Sequence, residues 1–335
     1  MNILSLFDGM SCGRIALERA DVKVDNYFAS EIDKYAIKVS KNNYPDIIHI
    51  GDVSKVSFKN GILKTESGEW QVGKIDLLLA GSPCQGFSMA GKQLAFDDER
   101  SKLYFEFERI LGEITTANPN AKFILENVKM KQEYKDVISD RLGIVPIAIN
   151  SNLISAQNRY RLYWTNILGV QLPEDRGIYL EDILESDVDE KYYIKSGRLE
   201  WLKTFGEVKE KDGYVAFNPK KAKCLTVRGE PSWNCTYILQ WPHGNNKGGL
   251  RAIDGKSPAL TTSSWPANNL LLQEGVVRKL TPIECERLQT VPDNYTACVS
   301  DTQRYKMLGN GWTVDVIAHI LKQSLLTNTI SHYKI

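Results

Sequence analysis

Runs of apolar residues alternate with amphipathic stretches over the first 170 residues of the chain. The runs are rich in β-branched residues and predict strands at 3–7, 24–30, 47–50, 75–80, 122–125, 145–149 and 161–167. Between them, apolar positions recur at helical spacing and predict helices at 13–20, 34–42, 103–114 and 133–142. This alternation is typical of an α/β domain, in which helices cover both faces of a mostly parallel sheet.

The pattern changes after residue 170. From about 171 to 275 charges cluster, Gly, Pro, Asn and Trp become frequent, and helical periodicity fades; it returns at 282–289 and 313–326. We therefore expect a large domain over 1–170, a small loop-rich insert over 171–275, and a segment at 276–335 that packs back onto the large domain. Two similar stretches of the insert, 221–239 and 255–272, predict two strand–turn–strand hairpins.

Composition is that of an ordinary globular protein, with 42% hydrophobic and 25% charged residues among 335. The net charge of +1 gives no argument for a nucleic-acid partner, but residues 171–190 carry a net −7 and residues 211–260 a net +5 interleaved with aromatic residues. There is no apolar run long enough for a membrane span and no basic leader of a signal peptide. The six cysteines show no CxxC pair and no metal-ligand rhythm with the histidines, so we expect no metal and a reduced, cytoplasmic protein.

Three features follow three successive predicted strands and point to a cofactor. FDGMSCG (7–13) places Gly9 and Gly13 at a turn into a helix, Glu31 ends the second strand, and Asp52 follows the third. Glycines allow close approach of the backbone, and an acidic residue at the end of a second strand typically binds ribose hydroxyls. A glycine turn alone is often only a turn, but three signals at one sheet edge favour an adenosine-bearing ligand.

A second group of residues points to chemistry on a heterocycle. Cys84 lies in the sharp turn GSPCQGFS after an apolar strand, Glu126 ends the next strand, and Arg159 and Arg161 lie two apart in QNRYR. Most single cysteines are small buried apolar residues, yet this turn favours an exposed thiolate. The spacing of the arginines puts both on one strand face. A thiolate can add to an electron-poor ring carbon while the acid bonds a ring nitrogen and an arginine bonds a ring carbonyl.

These motifs, together with RKLTPIECERLQ (278–289) and LGNGWTV (308–314), occur in an order that resembles the DNA (cytosine-5) methyltransferases. The resemblance spans nearly the whole chain and implies a class I S-adenosylmethionine-dependent methyltransferase core. Such a core is Rossmann-like, with a doubly wound, mostly parallel seven-stranded sheet, and the insert becomes a target-recognition domain. FDGMSCG and GNGWTV look closer to the vertebrate de novo branch, because Gly311 and Trp312 replace the serine pattern usual in bacterial members. This departure affects the contacts to the methionine end of the cofactor.

The resemblance also assigns residues. Catalysis would depend on Cys84, Glu126, Arg159 and Arg161. Cys84 would add to cytosine C6, Glu126 would donate a hydrogen bond or a proton at N3, and Arg161 would hold O2. Arg159 would orient the loop or a phosphate. S-adenosyl-L-methionine, converted to S-adenosyl-L-homocysteine, would be bound by Phe7, Asp8, Gly9, Gly13, Glu31, Ile32, Asp52, Val53, Ser82, Pro83, Asn310 and Trp312. The target base would be flipped out of double-stranded DNA, which the loop after Cys84 would contact through Gln85, Ser88, Lys92 and Arg100. Within the insert the resemblance assigns no residue; our own candidates for DNA contact there are Arg228, Trp233, Lys247, Arg251 and Ser264.

Several alternatives stay open at this stage. Methylation of tRNA cytosine uses the same catalytic residues, a catalytically inactive homologue could still bind DNA, and a small-nucleotide methylase would use the same thiolate chemistry. The insert favours DNA over a small nucleotide, and the intact catalytic set argues against an inactive copy. The DNA target is open, as is the role: protection against a cognate restriction endonuclease, protection of a phage genome, or regulation in a bacterial or phage-infected cell.

Overall fold

The fold was analysed in a computed structural model, which describes residues 1–81, 102–193, 237–240, 249–252, 256–260, 270–273 and 276–331. Its strands are β1 Asn2–Leu6, β2 Asn26–Ser30, β3 Ile48–His49, β4 Ser57–Lys59, β5 Ile62–Thr65, β6 Gly68–Gln71, β7 Leu77–Gly81, β8 Lys122–Val128, β9 Ile147–Asn150, β10 Gln157–Asn158, β11 Tyr160–Thr165, β12 Tyr237–Gln240, β13 Gly249–Ala252, β14 Ser257–Pro258, β15 Leu270–Gln273 and β16 Val276–Lys279. The helices are α1 Cys12–Arg19, α2 Lys34–Asn43, α3 Lys102–Ala117, α4 Gln132–Leu142, α5 Pro282–Leu288, α6 Asp301–Asn310 and α7 Val314–Ser331.

A seven-stranded sheet forms the centre of the large domain, in the order β3-β2-β1-β7-β8-β11-β9. It comprises the seven strands predicted from the apolar runs. Every neighbouring pair from β3 to β8 is parallel, and β11 is antiparallel to both β8 and β9. The predicted mostly parallel sheet is confirmed. The central strands are almost wholly buried because both faces are covered, as their continuous apolar runs indicate.

Helices cover both faces of this sheet. One core cluster joins the face of Leu79 and Tyr163 to α1, α5, α6 and α7. The other joins the opposite face, with Leu125 and Trp164, to α3 and α4. The six helices predicted from periodicity are all present, and α6 is an addition. Its sequence, DTQRYKMLGN, has no clear apolar stripe, and its buried positions include the charged Arg304, which pairs with Glu286.

The chain between β3 and β7 forms a separate three-stranded antiparallel sheet, β4-β5-β6, which was not predicted. Its strands are only three or four residues long, and charged residues interrupt the alternation. Phe58 and Leu63 nevertheless bury completely against the α3 side, and Trp70 packs edge-on against Phe28 at 5.8 Å between ring centroids. This packing fixes the β5–β6 turn, which contains Glu66, above the end of β3.

The insert contributes three strands to a second antiparallel sheet, β13-β12-β15-β16. The ends of the two similar stretches, β12 and β15, pair directly with each other. The hairpin predicted over 255–272 is wrong, because its first strand, β14, pairs with β10 of the large domain instead. The first stretch lies outside the described residues up to 236. Strand β16 begins the expected C-terminal segment yet pairs with β15 of the insert.

Candidate active site

The carboxyl ends of β1, β2 and β3 bring three of the predicted cofactor residues to one edge. Glu31 organises this edge: its Oε2 accepts from the backbone N–H of Gly9 at 2.8 Å, and its Oε1 accepts from those of Ile32 and Asp33, both at 2.8 Å. Gly9 has a φ of +60°, and a Cβ added there would meet open space. Ile32 is an apolar side chain left 76% exposed beside this carboxylate. The edge therefore offers a fixed acid, an open backbone approach and an apolar surface.

The turn after β1 shows that Asp8 faces inward. Its carboxylate accepts from the hydroxyls of Tyr27 at 2.6 Å and Ser11 at 2.5 Å, and it is only 8% exposed. Burial raises the pKa of Asp8 to about 6, although its hydrogen bonds work in the opposite direction. This side chain holds the turn from within, and the expected cofactor contact of Asp8 does not match that orientation. Gly13 is tightly packed, since an added Cβ would lie 2.8 Å from both Leu79 Cδ1 and the Tyr27 hydroxyl.

After β3, Asp52 caps a short 3-10 turn by accepting from the Ser54 N–H at 2.9 Å, and the buried Val53 follows it. The β5–β6 turn reaches this segment. Glu66 Oε2 accepts from the Asp52 N–H at 3.2 Å and lies so close to Gly51 that a Cβ there would be 2.5 Å away. Sequence reasoning missed Glu66, because only the fold of the unpredicted sheet brings it to Asp52.

The C-terminal motif GNGWT lies against the same edge from the other side. The indole of Trp312 is buried over the end of β7, where a Cβ added to Gly81 would be 2.6 Å from Nε1. Gly311 is also tightly placed, since its added Cβ would lie 3.1 Å from the Met307 carbonyl oxygen. Asn310, the last residue of α6, is exposed. The glycine and tryptophan that depart from the bacterial pattern thus fit together by close packing.

The predicted catalytic acid and one arginine form a pair. Arg161 Nε lies 2.9 Å from Glu126 Oε1, with side-chain exposures of 15% and 11%. Arg161 Nη1 donates to the carbonyl of Tyr160 at 2.9 Å. Gly81 pairs in register with Glu126. Cys84 itself lies outside the described residues; in the sequence it follows Gly81 by three residues.

Arg159 has different partners from those expected. It is 3% exposed, and its guanidinium donates to the backbone carbonyls of Leu260 at 3.0 Å, Gly309 at 3.2 Å and Gly311 at 2.9 Å. The loop that Arg159 was expected to orient lies outside the described residues. Arg159 joins β11, the insert and the GNGWT segment.

Two buried amides complete this junction and were not singled out in the sequence. Gln157 donates to the Leu288 carbonyl and accepts from the Leu260 N–H at 2.9 Å. Gln289 donates to the carbonyls of Leu308 and Gly311 and accepts from Thr313. Both lie within motifs quoted above, QNRYR and RKLTPIECERLQ. An amide side chain within each motif was the sequence signal that could have found them.

Two other cysteines in the described part of the chain are unsuited to the nucleophilic role. Cys12 and Cys285 are buried, and burial raises the pKa of Cys12 to about 12 and that of Cys285 well above its usual value. These thiols are therefore poor nucleophiles. Within the described ranges no cluster of three or more His, Cys, Asp or Glu could hold a metal. No helix that the structure describes is long and apolar enough to cross a membrane.

Most predicted DNA contacts cannot be placed. Arg251 lies on β13, opposite Ile238 of β12. The remaining eight lie outside the described residues, as do the cofactor candidates Ser82 and Pro83; the eight are Gln85, Ser88, Lys92, Arg100, Arg228, Trp233, Lys247 and Ser264.

Comparison with known proteins places this arrangement in a family. The family model described as C-5 cytosine-specific DNA methylase matches residues 1–141 and 148–325. The type II methyltransferase M1.ScrFI of Lactococcus lactis subsp. cremoris is 31% identical over 97% of this chain and 77% of its own length. M.NlaX of Neisseria lactamica is also 31% identical, over 96% and 95% respectively.

A solved structure agrees in fold. The Entamoeba histolytica methyltransferase EhMeth has a TM-score of 0.67 over 98% of both chains at 17% identity, which is a likeness of fold alone. The expected class I methyltransferase fold is confirmed. From the family match and these relatives, the chain belongs to the C-5 cytosine-specific DNA methylases and is an enzyme of the DNA (cytosine-5-)-methyltransferase class.

Proposed function

We propose that this enzyme methylates C5 of a cytosine flipped out of duplex DNA, with Cys84 as the covalent nucleophile. The observation that supports this most directly is the Glu126–Arg161 pair at 2.9 Å, set in register with Gly81 at the start of the Cys84 turn. A thiol, a carboxyl group and a guanidinium at one strand edge match the C6, N3 and O2 positions of cytosine.

The residues at the neighbouring edge fit S-adenosylmethionine. Glu31 is held so that the remaining lone pair on its Oε2 can accept from a ribose hydroxyl. Asp52 can accept from an adenine amino group. The exposed Ile32 offers an apolar surface for the adenine ring. Asn310 and Trp312 close the end nearest Gly81. When bound, the cofactor would supply a methyl group attached to a sulfonium centre, which is a good leaving group because it departs as a neutral thioether.

The protein residues then activate the base. The Cys84 thiolate forms a bond to C6, the electrons of the C5–C6 double bond move toward N3, and Glu126 donates a proton to N3. Arg161 can hold O2 through Nη2 while Nε stays on Glu126. The ring thereby gains enamine character, and C5 becomes the nucleophile that accepts the methyl group. A base, which can be solvent water, removes the C5 proton; the C6–S bond breaks, the double bond re-forms, and the N3 proton returns to Glu126.

The decisive experiment traps the covalent intermediate. The target sequence is first obtained by expressing the enzyme in an unmethylated host and sequencing bisulfite-treated host DNA. A duplex with 5-fluorocytosine at the target is then incubated with enzyme and S-adenosylmethionine. Fluorine at C5 cannot be removed as the proton is, so the elimination that breaks the C6–S bond is blocked. We therefore expect an adduct that survives denaturation. It should be absent with Cys84→Ala, although that variant still binds DNA and cofactor. Wild-type enzyme that methylates normal duplex but forms no adduct would overturn the mechanism.

A methyl-transfer assay on duplex DNA and on total tRNA separates the alternatives. Methyl transfer to total tRNA but not to duplex DNA would identify an RNA enzyme, and binding without transfer to either would identify an inactive homologue. We propose that residues 171–275 act as the target-recognition domain, because the insert occupies the place between the catalytic arginines and the C-terminal motifs. A cognate restriction endonuclease is a further prediction, as is a location in the cytoplasm, where bacterial DNA is found.

A further inference from the structure

Beyond the catalytic pair, the carboxyl edge carries an aromatic and a cationic side chain with no assigned role. Lys129 follows the last residue of β8, and Tyr160 begins β11. Since Val128 pairs with Arg161 in the antiparallel ladder, Lys129 and Tyr160 lie opposite each other one step further on. The Lys129 Nζ is 5.7 Å from the centroid of the Tyr160 ring, and Tyr160 is 42% exposed.

This pair differs electrostatically from its neighbours. Arg161 is paired with Glu126, Lys131 lies 3.5 Å from Glu133, and Arg159 is buried. No carboxylate of a described residue lies within salt-bridge distance of Lys129. Its ammonium is held over an aromatic ring instead, which limits its freedom without neutralising its charge. Such a cation is ready to bind an anion.

Its position indicates which anion. Alternation along β11 places Tyr160 on the face of Leu162 and Trp164, which packs against α3 and α4. The insert contacts the opposite face, where Leu260 and Leu271 join the cluster of Tyr163. A duplex that lies across the carboxyl edge, gripped by the insert on one side, would meet Lys129 and Tyr160 on the other.

We propose that Lys129 and Tyr160 form a phosphate-binding ledge for the DNA backbone, on the side of the active site away from the insert. The inference rests on the proposed function, since it requires duplex DNA as substrate. The Lys129 ammonium and the Tyr160 hydroxyl both donate to phosphate oxygens. Contacts of this kind position the duplex and carry no sequence information.

The test measures the salt dependence of DNA binding by Lys129→Ala, using the mapped target duplex between 50 and 200 mM salt. Loss of one phosphate contact lowers the slope of log K against log salt by about 1. Over this fourfold range of salt the wild-type affinity should therefore fall about fourfold more than that of the variant. The kcat at saturating DNA, the affinity for S-adenosylmethionine and the melting temperature should stay at wild-type values.

Lys122→Ala is the matched control, because Lys122 lies at the opposite end of the same strand, β8. Tyr160→Leu and Tyr160→Phe should both weaken DNA binding, because both lose the hydroxyl donor. Tyr160→Phe should retain the wild-type slope, because it keeps the ring beneath the ammonium and the number of neutralised phosphates is unchanged. If the salt slope of Lys129→Ala equals the slopes of wild type and Lys122→Ala, the proposed phosphate contact of Lys129 is refuted. Failure of the proposed function is a separate result, because then the wild-type enzyme itself would not methylate the duplex.

Discussion

Replacing Arg159 with lysine tests whether this buried residue positions the C-terminal motif. Its guanidinium reaches three backbone carbonyls, those of Leu260, Gly309 and Gly311, in the planar fork that lysine lacks. A lysine ammonium can donate well to one of these three carbonyls, so the hydrogen bonds to the other two are weakened or lost. A hydrogen bond to a charged group contributes roughly 1.5 to 3 kcal/mol. With partial compensation by water, the lower end gives a loss of about 3 kcal/mol in the free energy of unfolding.

The assay combines thermal unfolding with steady-state kinetics. At roughly 2 °C per kcal/mol for a large domain, the melting temperature of Arg159→Lys should fall by about 6 °C. The KM for S-adenosylmethionine should rise as well, because Gly309 and Gly311 flank Asn310 and precede Trp312. Arg141→Lys is the control: that arginine is exposed and pairs with Glu108, and an exposed pair contributes about 1 kcal/mol or less.

Arg161→Lys should behave differently from Arg159→Lys, with a lower kcat and little change in the KM for the cofactor, because its partner is Glu126. The reasoning would be refuted by an Arg159→Lys enzyme with unchanged melting temperature and unchanged KM for S-adenosylmethionine. It would also be refuted if both variants had a lower kcat with unchanged melting temperature and unchanged KM for S-adenosylmethionine, since that would place both arginines beside the target cytosine.

Three further predictions concern the edge around the cofactor. Burial raises the pKa of Asp8 from 3.8 to about 6 and so disfavours its charged form in the folded state. The stability of Asp8→Asn relative to wild type should therefore increase by about 2 kcal/mol as pH rises from 4 to 7; a pH-independent difference in urea unfolding would contradict this. Gly81→Ala should displace the Trp312 indole and cost about 1 to 3 kcal/mol of stability, which calorimetry measures; unchanged stability and cofactor affinity would show that the indole adjusts freely. Glu66→Ala should raise the KM for S-adenosylmethionine about fivefold, equivalent to about 1 kcal/mol. Glu69→Ala in the adjoining strand β6, where the side chain is exposed and paired with Lys64, should not; equal values in the two variants would contradict a role for Glu66.

The main sheet and its helices could be predicted because their information is local. A strand buried on both faces needs a continuous apolar run, and a helix packed on one side needs apolar positions at helical spacing. The turn residues after β1, β2 and β3 were predictable for the same reason, since parallel strands bring their carboxyl ends to one edge. Short or polar elements carry no such pattern, so β4–β6 and α6 were missed, and the pairing of β14 with β10 contradicted the expected hairpin.

The sequence by itself determined the class of fold and the order of the motifs, and its family resemblance assigned Arg161 to the base and Arg159 to the loop or a phosphate. Only the tertiary structure showed that Arg161 pairs with Glu126, whereas Arg159 is buried against backbone carbonyls. It also turned Asp8 inward, brought Glu66 to Asp52, and set Lys129 over Tyr160. Each of these contacts joins residues distant in the chain, whose approach depends on strand register and helix packing rather than on any local pattern.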